Sequence, residues 1–219
     1  MKCIIVIPAF NADNTIASLV EQIQKTTTIP IMIIDDGSNI PVSNYISDSN
    51  VIIHRIEKNM GKGYAIRTGL RYSQSSGYSH VVTLDADLQH PVKYIPKLLA
   101  VKDGVDLVIG VRHFDVMMPV NRRISNTLTS LILSCLCHRK FRDSQCGYRR
   151  YRIGTLNGLI LEEDGFMFES EVIVKMFKNK QGQLVEIPIE TVYNNEKSHI
   201  RNVYDTVQFI QLMIKSIFK

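Results

Sequence analysis

Apolar residues run along this chain in two rhythms. Short unbroken runs rich in β-branched side chains occur at Cys3–Pro8, Ile31–Asp35, Val51–Ile56, Val81–Asp85, Asp106–Val111 and Leu184–Ile189. They are too short for helices and predict strands buried on both faces. Between them, apolar positions recur at helical spacing over Thr15–Lys25, Gly63–Ser73, Val92–Ala100, Asn121–Cys137 and Glu169–Asn179. The alternation, which weakens beyond residue 115, predicts an α/β fold: a mostly parallel sheet flanked by helices. One domain is expected over residues 1–205. The stretch 203–219 sets Val203, Val207, Ile210, Met213, Ile214 and Ile217 at helical spacing. It predicts a C-terminal amphipathic helix, either part of the same domain or facing a membrane.

Composition narrows the class. With 219 residues, 45% hydrophobic and 21% charged, the chain can bury a core and is not disordered. No run approaches the roughly 20 apolar residues of a membrane span, and the chain opens on a strand-like run rather than a signal peptide. A cytoplasmic protein is expected, attached at most to the membrane surface. The four cysteines (Cys3, Cys135, Cys137, Cys146) do not form a disulfide framework. Cys135-x-Cys137-His138 lacks the usual zinc-ligand spacing, so buried or neutral thiols are expected.

The net charge of +5 is unevenly spread. Arg112, Arg122, Arg123, Arg139, Lys140, Arg142, Arg149, Arg150 and Arg152 are opposed only by Asp115 and Asp143 over that stretch. Such an excess is either a solvated basic face or a seat for phosphate-bearing partners or an anionic membrane surface. No aromatic-basic interleaving accompanies it, so nucleic acid is not an expected partner.

Polar residues cluster where the predicted strands stop. Asp85 and Asp87, one residue apart, could aim two carboxylates at one divalent ion, with Gln89 as a further oxygen ligand. The same residues could instead cap the next helix or close a turn. Asp35-Asp36-Gly37-Ser38 reads as a tight turn or as a contact for ribose or base. Asn59-Met60-Gly61-Lys62-Gly63 precedes a helix, where glycines allow either an anion or a packed neighbour close to the backbone.

Taken in order, Pro8-Ala9-Phe10-Asn11, Asp35-Asp36-Gly37-Ser38, Asn59-x-Gly61-Lys62-Gly63-x-Ala65 with Gly69, and Asp85-Ala86-Asp87-Leu88-Gln89-His90-Pro91 form a pattern. Asp143-Ser144-Gln145-Cys146-Gly147-Tyr148-Arg149, Phe168-Glu169-x-Glu171, Glu186-Ile187-Pro188 and Ser198-x-x-Arg201 continue it. In these segments the chain resembles glycosyltransferase family 2, and within it the dolichol-phosphate (polyprenol-phosphate) mannosyltransferase-like branch. The resemblance implies a GT-A fold, an inverting transfer and a nucleotide-diphosphate sugar donor, either a GDP- or a UDP-sugar. It implies that Pro8, Phe10, Asp36, Gly61 and Lys62 serve the donor. Asp85, Asp87 and Gln89 would handle Mg²⁺ or Mn²⁺ and the diphosphate. Arg112 and Arg123 would steady phosphates, Gln145 would lie on the acceptor side, and Ser198 with Arg201 in a late closing loop. Two departures stand out. The position where the family's first motif usually has Glu is Ala12, with Asp13 adjacent, and no membrane-spanning helices follow the matching segments. Attachment would then be peripheral or through a membrane-protein partner.

A lipid phosphate is already largely dianionic at neutral pH and needs cations rather than a base to hold it. A hydroxyl acceptor needs a general base, for which Asp143 is the candidate, although it could instead fix its own loop. The basic segment favours a polyprenyl-phosphate acceptor. The alternatives are a saccharide or protein hydroxyl in surface-polysaccharide assembly, a nucleotidyltransferase, and a non-catalytic nucleotide-sugar-binding scaffold. Glu169 and Glu171 lie two apart, so only one can point at a site from a helix.

Overall fold

The β-branched runs become strands and the spaced apolar positions become helices. In chain order these are β1 (Cys3–Ala9), α1 (Ile16–Thr26), β2 (Ile31–Asp36), β3 (Val51–Ile56), α2 (Lys62–Ser75), β4 (His80–Thr83) and α3 (Ile95–Leu99). Then follow β5 (Leu107–Arg112), α4 (Val120–Leu136), β6 (Arg149–Arg152), α5 (Ile153–Leu156), α6 (Phe168–Phe177) and β7 (Leu184–Ile189). The computed structural model describes residues 1–113, 120–179, 182–190 and 209–213.

The strands form one seven-stranded sheet in the order β3-β2-β1-β4-β6-β5-β7. β1, β2 and β4 are central and buried almost throughout, hence their unbroken apolar sequences. β3 is an edge strand and half-exposed. α1 turns Ile16, Leu19, Val20 and Ile23 into the core, each such side chain contributing about 1.5–3 kcal/mol when buried. α2 lies tightly on β1: a Cβ at Gly69 would stand 2.4 Å from Val6 Cγ1.

Two strands depart from the expected pattern. Val81–Asp85 was expected to be a strand, but β4 ends at Thr83. Its neighbours pair no further than Val6 and Arg149, and the Asp85 amide turns to the His90 ring instead of a ladder. β6 has no counterpart in the expected elements, because Arg149-Arg150-Tyr151-Arg152 carries no apolar run. It lies antiparallel between β4 and β5.

The cations of β6 also correct the reading of a continuous basic face. Arg149 and Arg150 are fully buried. Arg149 donates to the carbonyls of Cys146, Glu169 and Ser144 at 2.8, 2.9 and 2.6 Å. Arg150 donates to those of Leu98, Val101 and Lys102 at 3.0, 2.6 and 2.9 Å. Arg152 is 3.4 Å from Asp106. Arg149 and Arg150 thus staple loops to the sheet and lie away from the surface, whereas Arg152 is exposed.

From β1 the chain proceeds to β2 and β3 on one side, then returns to place β4 on the other. The reversal leaves a crevice at the carboxyl ends of β1 and β4, the customary ligand position in open α/β sheets. Of the stretch 203–219, residues 209–213 are described and helical. Phe209, Leu212 and Met213 are buried, whereas Ile210, expected on the same apolar face as Met213, is 51% exposed.

Candidate active site

Beyond β4 the chain makes a tight turn in which Leu88 adopts a φ of 60°, a costly conformation for a branched residue of the kind that collects at functional sites. Asp87 Oδ1 accepts from the Gln89 amide at 3.0 Å and so closes this turn itself. The Asp85 carboxylate lies 2.7 Å from Lys62 Nζ, at the start of α2. The same ammonium lies 2.8 Å from Glu169 Oε1, on α6. Glu169 is buried, and its oxygens have no other polar partner among the described residues. Glu171 points elsewhere, accepting from the amides of Glu162 and Glu163. One glutamate of the pair therefore faces the site, as their spacing required.

The charges are unequally matched. Burial pushes the Asp85 carboxyl up, but the Lys62 ammonium, with a smaller part from Arg112, outweighs it and holds the group down at about 2. Burial and the neighbouring Asp85 charge push the Asp87 carboxyl up. His90 is buried and driven towards its neutral form by desolvation. Its Nδ1 accepts from the Asp85 amide at 3.4 Å, and its Nε2 lies 3.7 Å from the Cys146 thiol. That thiol is pushed by burial up to about 12 and stays neutral. Gly147 closes the floor. A Cβ there would stand 2.8 Å from Lys62 Nζ and 2.9 Å from both Asp85 oxygens.

At the end of β2, Asp36 is buried and its two oxygens accept from the amides of Met60 and Gly61 at 2.9 and 2.8 Å. The Gly61 amide is thus engaged by protein rather than open to an anion. Gly61, at φ 103°, and Gly63 also meet the 163–165 backbone so closely that a Cβ at either would stand 2.4 Å from a carbonyl oxygen. Asp35 accepts from the amides of Ser38 and Val42 and from Arg55, and serves the turn. Asn11 binds Ser38 Oγ and the Asn39 amide, tying the end of β1 to the loop after β2. Beside it Asn11, Asp13, Asn39 and Ile40 line a cavity of about 240 Å³. Asp13 therefore brings a carboxylate to this cavity although Ala12 precedes it. Pro8 is half-buried, and Phe10 is 42% exposed at the end of β1.

On the other side, Asp143 is fully buried. It accepts from the Arg112 backbone amide, Nε and Nη2 at 3.1, 2.7 and 2.9 Å, and from Asn126 Nδ2 at 2.6 Å. Burial raises its carboxyl, but the Arg112 charge and these hydrogen bonds more than offset that and hold it below the usual range. Gln145 Nε2 donates to Thr129 Oγ1 at 3.2 Å. Arg123 is exposed on α4. Ser198 and Arg201 lie outside the described residues.

The structure therefore gathers Lys62, Asp85, Asp87, Gln89 and Arg112 with Asp143. It adds Gly147 and Asn126, to which no role was assigned, and of the pair Glu169 and Glu171, one of which was expected to face a site, it places Glu169 there. Among the described residues no three His, Cys, Asp or Glu groups are disposed to hold a metal ion. Asp85 and Asp87 nevertheless fit a hard divalent ion of the Mg²⁺ type, which takes one or two carboxylates and completes its shell with water and phosphate oxygens. The upward push on Asp87 marks the pair as short of positive charge.

The family described as glycosyl transferase family 2 matches residues 4–177. A UDP-N-acetylglucosamine–dolichyl-phosphate N-acetylglucosaminyltransferase of Methanococcus voltae is 29% identical, covering 86% of this chain and 85% of that protein. An undecaprenyl-phosphate mannosyltransferase of Micrococcus luteus is 27% identical over 88% of this chain and 84% of that one. Among solved structures, the glucosyl-3-phosphoglycerate synthase of Mycobacterium tuberculosis in complex with Mn²⁺, UDP and glucosyl-3-phosphoglycerate superposes with a TM-score of 0.70. It is 16% identical, covering 99% of this chain and 78% of that one; the likeness is one of fold.

Proposed function

The chain belongs to glycosyl transferase family 2 and is a glycosyltransferase, and from that premise we propose that it moves a sugar from a nucleotide-diphosphate donor to a polyprenyl phosphate, with inversion. The observation that carries the acceptor is the engagement of Asp143. A hydroxyl acceptor requires a base, and the candidate base is buried, held ionised below the usual range and bonded to Arg112 and Asn126. A phosphate monoester requires no base and needs only cations. Asp143 orients the Arg112 guanidinium, which is the cation that would meet the phosphate. The activities of the Methanococcus and Micrococcus relatives, both on polyprenyl phosphates, point the same way.

In this reading the donor base sits near Phe10, Asn11, Asp13 and Asn39, with Asp36 shaping the pocket wall and holding the Gly61–Lys62 turn. Asp85 and Asp87, with Gln89, hold a divalent ion, Mg²⁺ or Mn²⁺, which when bound neutralises charge on the departing diphosphate. Lys62 keeps Asp85 ionised and placed. Arg112 and Arg123 orient the acceptor phosphate, with Gln145, Ser198 and Arg201 on the same side. An acceptor oxygen bonds to the anomeric carbon from the face opposite the diphosphate. The bond to the leaving oxygen breaks, and the nucleoside diphosphate departs with the electron pair. The enzyme works at the cytoplasmic face of a membrane, bound at its surface or to a membrane protein. Residues 1–205 form the catalytic unit, with 203–219 as a helical appendage.

The test is donor-dependent thermal stabilisation followed by transfer. GDP-mannose, UDP-glucose and UDP-N-acetylglucosamine are each added with Mn²⁺ or with chelator, and the stabilising donor is then offered with polyprenyl phosphate or a sugar acceptor. A donor at 100 times its dissociation constant stabilises by about 2.7 kcal/mol. Metal-dependent stabilisation and glycosylated polyprenyl phosphate are expected. Transfer only to a sugar hydroxyl would overturn the acceptor, and no stabilisation by any donor would favour the scaffold alternative.

A further inference from the structure

α4 carries a row of large apolar side chains on its outer face. Its buried face presents Asn126, Thr129, Ser130 and Leu133, and the first three of these bond to Asp143, Gln145 and Ser144. Val120, Ile124, Leu128 and Leu131 are instead 61, 62, 55 and 59% exposed, and the exposed Cys135 extends the row. These positions are three or four apart, so at about 100° per residue they fall within an arc of about 80°. Single exposed aliphatics are ordinary, but a contiguous row of them marks an interaction surface.

Charge decides what the row fits. From Val120 to Arg142 the chain holds no Asp or Glu; Arg123 is exposed on the helix and Arg139, Lys140 and Arg142 follow it, while the half-buried Arg122 turns towards the buried side at about 100° per residue. Arg139, Lys140 and Arg142 line an open cleft of about 420 Å³ just beyond the end of α4, with Leu184 and with Glu186, which Arg142 already engages. A second copy docked symmetrically on this face would set the same cations against one another. No helix among the described residues is long and apolar enough to cross a membrane, so α4 can lie on a bilayer but not span it.

We propose that the outer face of α4 docks on an anionic membrane surface. The aliphatic row enters the boundary between headgroups and acyl chains, and the flanking cations take lipid phosphates. The inference rests on the proposed acceptor in one respect: it gives α4 a reason to combine this face with the buried Asn126–Asp143–Arg112 chain. A helix seated on the bilayer keeps Arg112 and Arg123 near the phosphate of an embedded lipid.

The experiment uses the full chain with vesicles of phosphatidylcholine alone or with one-third phosphatidylglycerol. It is run at low and high salt, for wild type and the triple variant Ile124→Asn, Leu128→Asn, Leu131→Asn. These side chains face out, so an unchanged melting temperature reports an intact fold. Wild type is expected to sediment with the anionic vesicles, less so at high salt, and the triple variant to lose binding on the order of tenfold. Absence of wild-type binding, equal binding by the variant, or a wild-type dimer that the variant dissociates would each overturn the proposal. Transfer to a short, water-soluble prenyl phosphate is expected to survive in the variant while transfer to a vesicle-embedded long-chain acceptor falls. Wild-type vesicle binding without transfer to any prenyl phosphate would defeat the proposed acceptor and leave this surface standing.

Discussion

The Arg112 guanidinium lies against the Asp143 carboxylate through two hydrogen bonds, at 2.7 and 2.9 Å, while the Arg112 backbone amide donates to the same carboxylate. A cation fixed at both its side chain and its main chain loses little freedom when it takes a phosphate.

Asp143→Asn breaks that arrangement, because an amide cannot accept from the whole Arg112 fork. The expected result is a higher KM for the phosphate acceptor, with donor-dependent thermal stabilisation unchanged. The expected stability loss is about 1–3 kcal/mol. The pH dependence has a definite sign. The folded Asp143 carboxyl is held low, so its stabilising contribution is complete above the unfolded value of about 3.9 and lost as pH falls through the folded value. Below about pH 4 the wild type should therefore lose stability more steeply than Asp143→Asn in acid melts.

Asp87 should behave in the opposite sense. Burial and the Asp85 charge push its carboxyl up, so its ionisation opposes folding at neutral pH when no cation is bound. Asp87→Asn is expected to raise the melting temperature of the metal-free protein slightly while abolishing transfer and the Mn²⁺-dependent response to donor. A lower melting temperature in chelator would contradict the reading of Asp87 as a ligand held for an absent charge.

Gly147→Ala tests the close approach at the floor of the site. The new methyl would meet Lys62 Nζ and both Asp85 oxygens, the movable ends of side chains rather than backbone. Melting should change little, while transfer should fall by about tenfold or more, the scale expected when a reacting group is displaced by a fraction of an ångström. Melting curves beside initial rates separate the two effects.

Lys62 and Glu169 should be coupled. Lys62→Met leaves a buried glutamate with no polar partner among the described residues, and loss of one member of a buried pair costs about 3–5 kcal/mol. Adding Glu169→Gln should recover part of that loss, a coupling readable in a double-mutant cycle by urea denaturation. Additive effects would mean that the two side chains do not interact.

The half of the fold built from β1 to β4 was legible because β1, β2 and β4 are buried on both faces and announce themselves by apolar runs, while the edge strand β3 keeps three apolar β-branched residues before His54 and Arg55. β6 was not, since its place in the sheet is held by main-chain pairing and by arginines solvated by carbonyl groups. The same fact led Arg149 and Arg150 to be counted with a surface to which they do not belong. In the site, Asp85 and Asp87 could be located because they directly follow an apolar run. The Lys62–Glu169 contact joins residues 107 positions apart, and Gly147 matters for the side chain it lacks. Neither leaves a periodic trace. The engagement of Asp143 by Asn126 depends on how α4 is rotated, and its outward aliphatics, read as a core-facing stripe, would have given the wrong rotation.

The antiparallel placement of β6 also has a consequence for assembly. β5 pairs only with β6 and β7, and both lie after it in the chain. As the polypeptide emerges from the ribosome, residues 107–112 have no strand to join until Arg149 has been made. β1 to β4 can pair among themselves much earlier. The strand that joins these two parts is the one reached through Asp143, Gln145 and Gly147. The sheet thus becomes continuous only as this segment arrives, and a chain interrupted before that point would expose the edges of β4 and β5 to other molecules.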